Sequence, residues 1–334
     1  MDSTAPELTT RELTTPARTT PLLVRWLLFP GMMVSALMTT QALMVAGYTP
    51  AMVVPMVIPF VFLLLAISER LFPYHLSWQG NGNGDLGVDI KYFITNSFCI
   101  RVAEGATMVA CAWGAAALSA RYGGTLWPSN WHWTGQLALA VVLGEFIEYW
   151  FHRIMHEVPW MWRFHAVHHS APRLYWLNAV RFHPIDMVIG GVGRMMPAAL
   201  LGAGHEVFAL HTIFSGVHGS FQHCNVDIKL GPLNWIFSMA ELHRWHHSKT
   251  IVESNNNYGG NVGIWDIIFG TRFLPKDREP PADIGMASLP KFPQTFGAQV
   301  FTPFRWDEVL KFKITPPPPE NSVPNSTAPE TAQS

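Results

Sequence analysis

Residues 145–169, EFIEYWFHRIMHEVPWMWRFHAVHH, carry the pattern that decides the fold. Residues four apart on a helix lie on one face, so the HxxxH box places His152 and His156 side by side. Glu145 and Glu148 continue that face back toward the preceding apolar residues. The stretch therefore predicts a helix that leaves an apolar layer and ends in two imidazoles.

Two further boxes have the form HxxHH, one inside the same stretch and one at residues 243–247. Each places histidines at i, i+3 and i+4, which converge on one side of a helix. One HxxxH is often accidental, whereas three boxes in one membrane chain indicate function, because polar groups near a bilayer are expensive. The predicted metal ligands are the box histidines and two that lie between the boxes: His152, His156, His165, His168, His169, His218, His223, His243, His246 and His247.

The number of ligands predicts two metal ions. One ion takes about four to six ligands, so eight to ten imidazoles exceed what a single ion can use. Imidazole suits zinc, copper, iron and nickel alike, so the ligand type does not choose the metal. The three cysteines form no CxxC pair, which argues against thiolate ligation and against a disulfide framework.

The composition predicts a membrane protein. The 334 residues are 49% hydrophobic and only 13% charged, whereas a soluble domain carries about 25% charged residues. So few charges cannot cover the surface of a soluble protein of this size. The net charge of −1 gives no indication of nucleic-acid binding.

Apolar runs of about 20 residues can cross a bilayer as helices. Four such spans are predicted, together with one shorter membrane hairpin. The spans are residues 22–47, 51–68, about 95–120 and about 134–151, and the hairpin comprises residues 187–204 and 207–217.

The parity of these spans predicts where the boxes lie. If Arg11, Arg18 and Arg25 hold the N-terminus in the cytoplasm, the fourth span returns to that side just before His152. The hairpin returns its chain to the same side. All boxes then meet on one cytoplasmic face, of a bacterial inner membrane or of the endoplasmic reticulum.

The predicted fold class is an all-α integral membrane protein, with a cytosolic helical cap that holds a dimetal site. Four segments are expected. They are a disordered tail (1–21), a transmembrane hairpin with its loop (22–90), a catalytic domain (91–275) and a C-terminal extension (276–334) that is disordered from about residue 314.

The boxes as a set resemble the sterol desaturase and fatty acid hydroxylase superfamily, whose members carry HxxxH, HxxHH, a further histidine and HxxHH. The closing signature of that family is matched by Asn257-Tyr258-Gly259, Trp265-Asp266 and Phe269-Gly270-Thr271. The resemblance covers roughly residues 90–275. Two positions depart from the pattern: Asn255 stands where members often carry Asp, and Glu148 stands where an aromatic or apolar residue is common.

This resemblance implies a non-haem di-iron centre that uses dioxygen to hydroxylate or desaturate a lipid. The chain contains no FAD motif, no GxGxxG after a strand and no His-Pro-Gly-Gly cytochrome b5 signature. Electrons are therefore expected from a separate donor, a ferredoxin or a cytochrome b5 with its reductase.

Some polar residues have predicted roles beside the ligands. Glu145 is expected to orient imidazole, and Asp266 is expected to brace the third box; both are candidates for the catalytic machinery. His183 precedes a proline, which favours a turn or a helix end. The remaining histidines are expected to pack or to lie at the membrane interface: His75, His132, His205 and His211.

Two other functions stay open from the residues alone. A zinc-dependent membrane hydrolase would explain the histidines, although the chain has no HExxH. A metal transporter or a haem-bearing membrane protein is the other alternative, although its ligands should lie in mid-membrane rather than at the ends of the spans. The residues do not identify the lipid or the carbon that reacts.

Overall fold

The computed structural model describes residues 20–80 and 84–315, and within them the chain is helical, with no β-strand. The two predicted tails lie outside the described residues except for 20–21 and 314–315. The α-helices are α1 (Leu22–Val45), α2 (Pro50–Leu71), α3 (Leu86–Tyr122), α4 (Trp133–Glu157), α5 (Pro159–His169), α6 (Pro184–Leu201), α7 (His205–His223), α8 (Ala240–His246), α9 (Ile251–Ser254), α10 (Ile264–Ile268), α11 (Phe296–Phe301) and α12 (Trp306–Leu310). Four short 3₁₀ helices lie at Leu76–Trp78, Trp176–Val180, Gly231–Trp235 and Thr302–Arg305.

The first two helices form the predicted hairpin. Gly47 adopts a left-handed conformation with φ of 95°, which lets the chain reverse after α1. Pro50 then begins α2, where its missing N–H would have no helical partner anyway. Both helices expose large apolar side chains over much of their surface, which suits contact with lipid.

Within residues 20–80 and 84–315, six long helices form the bundle. α6 packs against α3 and α4, while α7 packs against α1, α2 and α4. The largest apolar core lies where α1, α2 and α7 meet, around Phe29, Leu65, Ile213 and Phe221. This core holds the N-terminal hairpin against the helix that carries His223.

Four of the helices in the described ranges are long and apolar enough to cross a membrane, and they are α1, α2, α3 and α6. The number agrees with the prediction, but the members differ. The predicted fourth span, residues 134–151, lies in α4, which does not qualify and carries Glu145 and Glu148 within that stretch. The fourth helix that can span a membrane is instead α6, which the prediction treated as the first arm of the short hairpin (residues 187–204).

The helix ends nearest the histidine boxes lie together. The backbone N–H of Tyr74, just after α2, donates to the carbonyl of Asn225, just after α7, at 2.9 Å. The N–H of Lys229 donates to the carbonyl of Arg25 in α1 at 3.0 Å. Residues 159–183 and 224–315 cover this end of the bundle and are called the cap below. All histidine boxes are therefore gathered at one end of the bundle.

Candidate metal centre

Nine imidazoles are gathered into two adjacent groups where the bundle meets the cap. In each group, one nitrogen of every member lies within 4.8 Å of the corresponding nitrogens of the others. Group A contains five histidines and group B contains four. The members of group A are His152, His156, His165, His169 and His246, and those of group B are His168, His223, His243 and His247.

Helical spacing explains how the boxes are divided. The HxxxH box at the end of α4 gives both of its histidines to group A. In α5, the i and i+4 members of the box join group A, and the member at i+3, His168, joins group B. In α8 the division is reversed, because His246 joins group A and its two companions join group B. Each HxxHH box thus contributes to both groups, which places the two sites side by side.

Within the groups, ring nitrogens approach each other closely. The Nε2 atoms of His152 and His165 are 3.0 Å apart, and those of His223 and His243 are 2.9 Å apart. The Nε2 atom of His247 lies 3.0 Å from that of His168. Lone pairs of neutral imidazoles that point at one another would repel, so the arrangement fits a cation at their centre.

Hydrogen bonds on the outer side of five rings set their orientation. The Nδ1 atom of His152 donates to the carbonyl of Tyr258 at 2.8 Å, and that of His246 donates to the carbonyl of Asn256 at 2.7 Å. A ring that donates from Nδ1 keeps the lone pair of Nε2 for a metal. The other three rings are oriented by side chains: His165 by Asp186 at 2.8 Å, His223 by Asn178 at 2.8 Å and His156 by Asn255 at 3.2 Å.

Several inward nitrogens are buried and lack a hydrogen-bond partner among the described residues. They include Nε2 of His156, His169 and His246. A buried polar atom without a partner is costly, and coordination of a metal would satisfy these atoms. The nine imidazoles therefore fit two ions of a metal that imidazole binds, such as zinc, copper, iron or nickel.

Burial also keeps the imidazoles of the cap uncharged. Desolvation lowers the pKa of His165 to about 3. Desolvation, followed by the proximity of other histidines, holds the pKa values of His168, His246 and His247 well below the usual range. Neutral imidazole is the form that binds a metal, so the rings need not release a proton first.

Glu145 and Asp266 do not bond to any of the nine imidazoles. Glu145 is fully buried and accepts hydrogen bonds from Asn261, at 2.7 Å from its backbone nitrogen and also from its side-chain amide. The predicted contact between Glu145 and imidazole is therefore not found, because α4 turns this carboxylate toward the loop after Asn257. Its hydrogen bonds join α4 to that loop.

Asp266 shapes the same loop from the other side. It accepts hydrogen bonds from the backbone nitrogens of Tyr258 and Gly259, both at 2.8 Å, and from the hydroxyl of Thr271 at 2.7 Å. Burial raises the pKa of Asp266 to about 6. The carboxylate thereby fixes the turn whose Tyr258 carbonyl orients His152. Both carboxylates thus contact the segment 258–271 rather than an imidazole.

Sequence reasoning did not assign the roles of Asp186 and Asn178. Asp186 comes three residues after His183 and lies in the first turn of α6, so its proximity to that histidine was the only available signal. Asn178 lies in a 3₁₀ helix and nothing in its surroundings marks it. His183 caps the start of α6: its Nδ1 accepts from the backbone of Ile185 at 3.1 Å.

His218 is the one predicted ligand that the structure does not bring to either group. Its ring lies among Phe29, Phe214 and Phe237, with centroid distances of 5.5, 5.9 and 6.1 Å. His218 comes five residues before His223, which does not return it to the same helical face. It belongs to the apolar core of α1 and α7.

We therefore expect His218→Leu to keep the metal content of the wild-type protein, because no metal nitrogen is removed. Stability should change by about 1–2 kcal/mol at most, since leucine replaces a buried ring of unsatisfied nitrogens. Metal analysis of the purified protein measures the first quantity and thermal unfolding in detergent measures the second. Loss of one metal ion per chain would return His218 to the ligand set.

A cavity of about 250 Å³, called the histidine cavity, leads from the imidazoles into the bundle between α3, α4, α6 and α7. It reaches His152 and His165 of group A and His168, His223 and His243 of group B. A second cavity, of about 640 Å³, opens in the cap and reaches His156 and His169. The histidine cavity thus reaches both groups from within the bundle, whereas the cap cavity reaches group A alone.

Comparison with known proteins agrees with this geometry. The fatty acid hydroxylase family model matches residues 137–271, which contain all nine clustered histidines. An ornithine lipid hydroxylase of Rhizobium tropici is 38% identical over 243 residues, which are 72% of this chain and 72% of that protein. The chain belongs to the fatty acid hydroxylase family.

More distant relatives of the family match over shorter stretches. Human alkylglycerol monooxygenase is 35% identical over 146 residues, which are 43% of this chain and 31% of that protein. Methylsterol monooxygenase 2-2 of Arabidopsis thaliana is 25% identical over 141 residues, or 41% and 52% of the two chains. No solved structure matches the chain.

Family membership confirms the resemblance inferred from the boxes. This member of the fatty acid hydroxylase family is an oxidoreductase of the lipid hydroxylase and monooxygenase class. It is an integral membrane protein with helices long enough to span the bilayer. The two alternatives, a zinc-dependent hydrolase and a transport or haem protein, are not favoured.

Proposed function

We propose that groups A and B each hold one iron ion, and that the chain hydroxylates a membrane lipid with dioxygen. The observation that carries this proposal is the pair of buried imidazole groups at the end of a cavity that opens from the bundle. Zinc would fit the same nitrogens but has no redox chemistry. The family's oxygenase members support iron as the functional metal.

The reaction converts one C–H bond into C–OH. One oxygen atom of dioxygen enters the product, and the other leaves as water after two electrons and two protons are taken up. Bound iron would supply the activation of dioxygen that imidazole cannot provide. The chain holds the imidazoles in fixed orientations, excludes bulk water from the buried site and presents the C–H bond through the histidine cavity.

Electrons come from a separate protein, such as a ferredoxin or a cytochrome b5 with its reductase. The cap cavity supports this route, because it reaches His156 and His169 of group A from the side away from the bundle. Arg163, Lys249 and Lys313 line it, and these cations suit an acidic donor.

The substrate is a polar lipid, and the site faces the cytoplasm. A lipid enters from the bilayer, since the histidine cavity lies between the helices of the bundle. The proposal for a polar lipid is supported by the similarity to an ornithine lipid hydroxylase over most of the chain. Arg25 at the box end of α1 supports a cytoplasmic site, in a bacterial inner membrane or the endoplasmic reticulum.

We also propose that the chain is divided into the segments predicted from its sequence. Residues 91–275 form the catalytic unit, which contains the nine clustered histidines and the family match. Residues 22–90 add the N-terminal hairpin, and residues 276–315 complete the wall of the cap cavity.

The test combines metal analysis with lipid chemistry on the purified protein. We expect about two iron ions per chain and oxygen uptake that depends on a lipid extract and a reduced donor. The product should gain the mass of one oxygen; a loss of two hydrogens would show desaturation instead. Removal of iron with a chelator should abolish turnover, and Fe²⁺ but not Zn²⁺ should restore it. Tightly held zinc without any oxygen-dependent product would contradict the proposal.

A further inference from the structure

The N-terminal hairpin carries a buried carboxylate at the end that meets the cap. Glu69 lies in the last turn of α2 and is only 8% exposed. Burial of a charged group is costly unless hydrogen bonds satisfy it. The residue also lies outside residues 137–271, which the family model matches. The contacts of Glu69 therefore indicate what the hairpin adds to the metal centre.

One oxygen of this carboxylate joins two segments that are far apart in the chain. Its Oε1 atom accepts hydrogen bonds from the backbone nitrogen of Trp176 at 2.8 Å and from that of Asn225 at 2.9 Å. Trp176 begins the 3₁₀ helix Trp176–Val180, and Asn225 comes two residues after the end of α7. Hydrogen bonds from backbone N–H groups to a carboxylate are stronger than those to a neutral acceptor. Glu69 thus fixes both segments against α2.

Both segments determine the position of His223 in group B. Trp176 precedes Asn178 by two residues, and the Oδ1 atom of Asn178 accepts from Nδ1 of His223 at 2.8 Å. The amide nitrogen of Asn178 donates to the carbonyl of Arg173 at 2.6 Å, which turns the amide oxygen toward the imidazole. His223 is the last residue of α7, and the backbone that Glu69 holds begins two residues after it. Glu69 therefore acts on His223 both through the partner of its ring and through its backbone.

Further contacts hold the turn that follows His223. The side chain of Asn225 accepts from the backbone nitrogen of His75 at 2.8 Å and donates to the carbonyl of the same residue at 3.0 Å. From α8, Arg244 donates to two carbonyls of this turn, at 2.9 and 2.7 Å. Arg244 follows His243, whose Nε2 atom lies 2.9 Å from that of His223. The hairpin and α8 thus hold the same turn beside two imidazoles of group B.

Group A has no such connection to the hairpin in the described part of the chain. The outer nitrogens of four of its rings bond to Asp186, to Asn255 and to the carbonyls of Asn256 and Tyr258. Within the described ranges, none of these four residues forms a hydrogen bond with α1, α2 or residues 72–79. The hairpin therefore supports group B selectively.

We propose, on the basis of the proposed metal ion in each group, that Glu69 is a positioning residue for group B. The N-terminal hairpin then completes one of the two metal sites, although it lies outside the family match. Removal of the Glu69 carboxylate would leave two backbone N–H groups without their acceptor, which is costly in the interior. The segments at Trp176 and Asn225 would move away from α2, and His223 would lose its fixed orientation. The affinity of group B for metal should fall, while that of group A stays unchanged.

The test measures Fe²⁺ binding to each group separately. Because His246→Ala removes a nitrogen from group A, the tighter site in that variant is group B; in His168→Ala it is group A. Metal-free protein in detergent is titrated with Fe²⁺ by calorimetry, without dioxygen, lipid or electron donor. We expect Glu69→Ala to lower the affinity of the His246→Ala protein about tenfold or more, as for other residues that support ligating histidines. The affinity of the His168→Ala protein should not change.

Rescue and control variants distinguish positioning from a general loss of stability. Glu69→Gln keeps an oxygen acceptor and should restore most of the affinity of group B. Arg70→Ala is the matched control, because Arg70 is exposed and follows Glu69 on the same helix; it should bind Fe²⁺ as the parent does. In the metal-free Glu69→Ala protein, hydrogen exchange should be faster in the peptides that contain Trp176 and Asn225, and unchanged in those that contain Tyr258.

Equal loss of affinity in both backgrounds would assign Glu69 to the stability of the whole bundle and overturn the proposal, as would unchanged affinity in both. If Glu69→Ala does not fold, Glu69→Asp and Glu69→Gln provide the same comparison. Aspartate is one methylene shorter and should weaken group B alone; equal affinity of group B in these two variants would overturn the proposal. Absence of Fe²⁺ binding in both parent variants would instead contradict the proposed ion in each group.

Discussion

His246→Ala and His168→Ala should each abolish lipid hydroxylation. His246 is one of five nitrogens in group A, and His168 is one of four in group B. Both residues are buried, so alanine leaves a hole in the ligand shell that no exposed side chain can fill. We expect a loss of about 100-fold or more in turnover, because removing a direct ligand should cost at least as much as the 10–100-fold typical of outer-shell partners.

Metal analysis of the same variants gives a sharper expectation. Each substitution weakens one group only, so iron should fall from about two ions toward one per chain. His132→Ala is the control: His132 caps the start of α4, at the end of the bundle opposite the boxes, with Nδ1 2.9 Å from the hydroxyl of Thr134. It should cost stability by about 0.5–2 kcal/mol but keep iron and turnover. Equal loss in all three variants would show that the ligand assignment is wrong.

Asp186→Ala should lower iron affinity and turnover by about 10–100-fold, the range found for outer-shell partners of ligating histidines. Its carboxylate accepts the hydrogen bond from Nδ1 of His165 at 2.8 Å, and both side chains are buried. Without this acceptor the ring can rotate, and its Nδ1–H is left unsatisfied in the interior. Titration of the metal-free protein with Fe²⁺ measures the affinity, and lipid turnover measures the activity.

Two further variants distinguish an effect on the orientation of the His165 ring from a general loss of protein stability. Asp186→Asn keeps an oxygen acceptor and should lie between wild type and Asp186→Ala. Asp283→Ala removes an exposed aspartate of the cap that pairs with Lys249, and it should behave as wild type. If Asp186→Ala bound iron as tightly as Asp283→Ala does, orientation of His165 would not depend on Asp186.

Local patterns were sufficient to predict the box histidines as candidate ligands and to predict the membrane character. The spacing within each box is a property of a single helix, and all eight box histidines lie in groups A and B. His223, the ninth member, lies outside the boxes. Which of His218 and His223 joins the groups could not be read from spacing, because it depends on whether α7 turns His218 toward the other boxes or toward Phe29 of α1. Only the packing of two distant helices decides this.

The membrane helices also show what local sequence patterns cannot predict. Hydropathy identified α1, α2 and α3 directly. α4 and α6 are harder to recognise as membrane helices from hydropathy. Each carries charged side chains, which are tolerated because they line a shared cavity. Hydropathy counts Glu148 and Arg194 as if each faced lipid, whereas their cost depends on the neighbouring helix that each one faces.

The amino-acid sequence by itself determined the histidine boxes, the helical class and the membrane setting, since all three follow from composition or from spacing within one element. The tertiary structure decided which imidazoles share a group, which residues orient them, and how the cavity is lined. Those features depend on contacts between residues far apart in the chain, such as Tyr258 with His152 and Asn178 with His223. The carbonyl that orients His152 has no side-chain signature at all, because a backbone oxygen is present at every position and only the fold selects one.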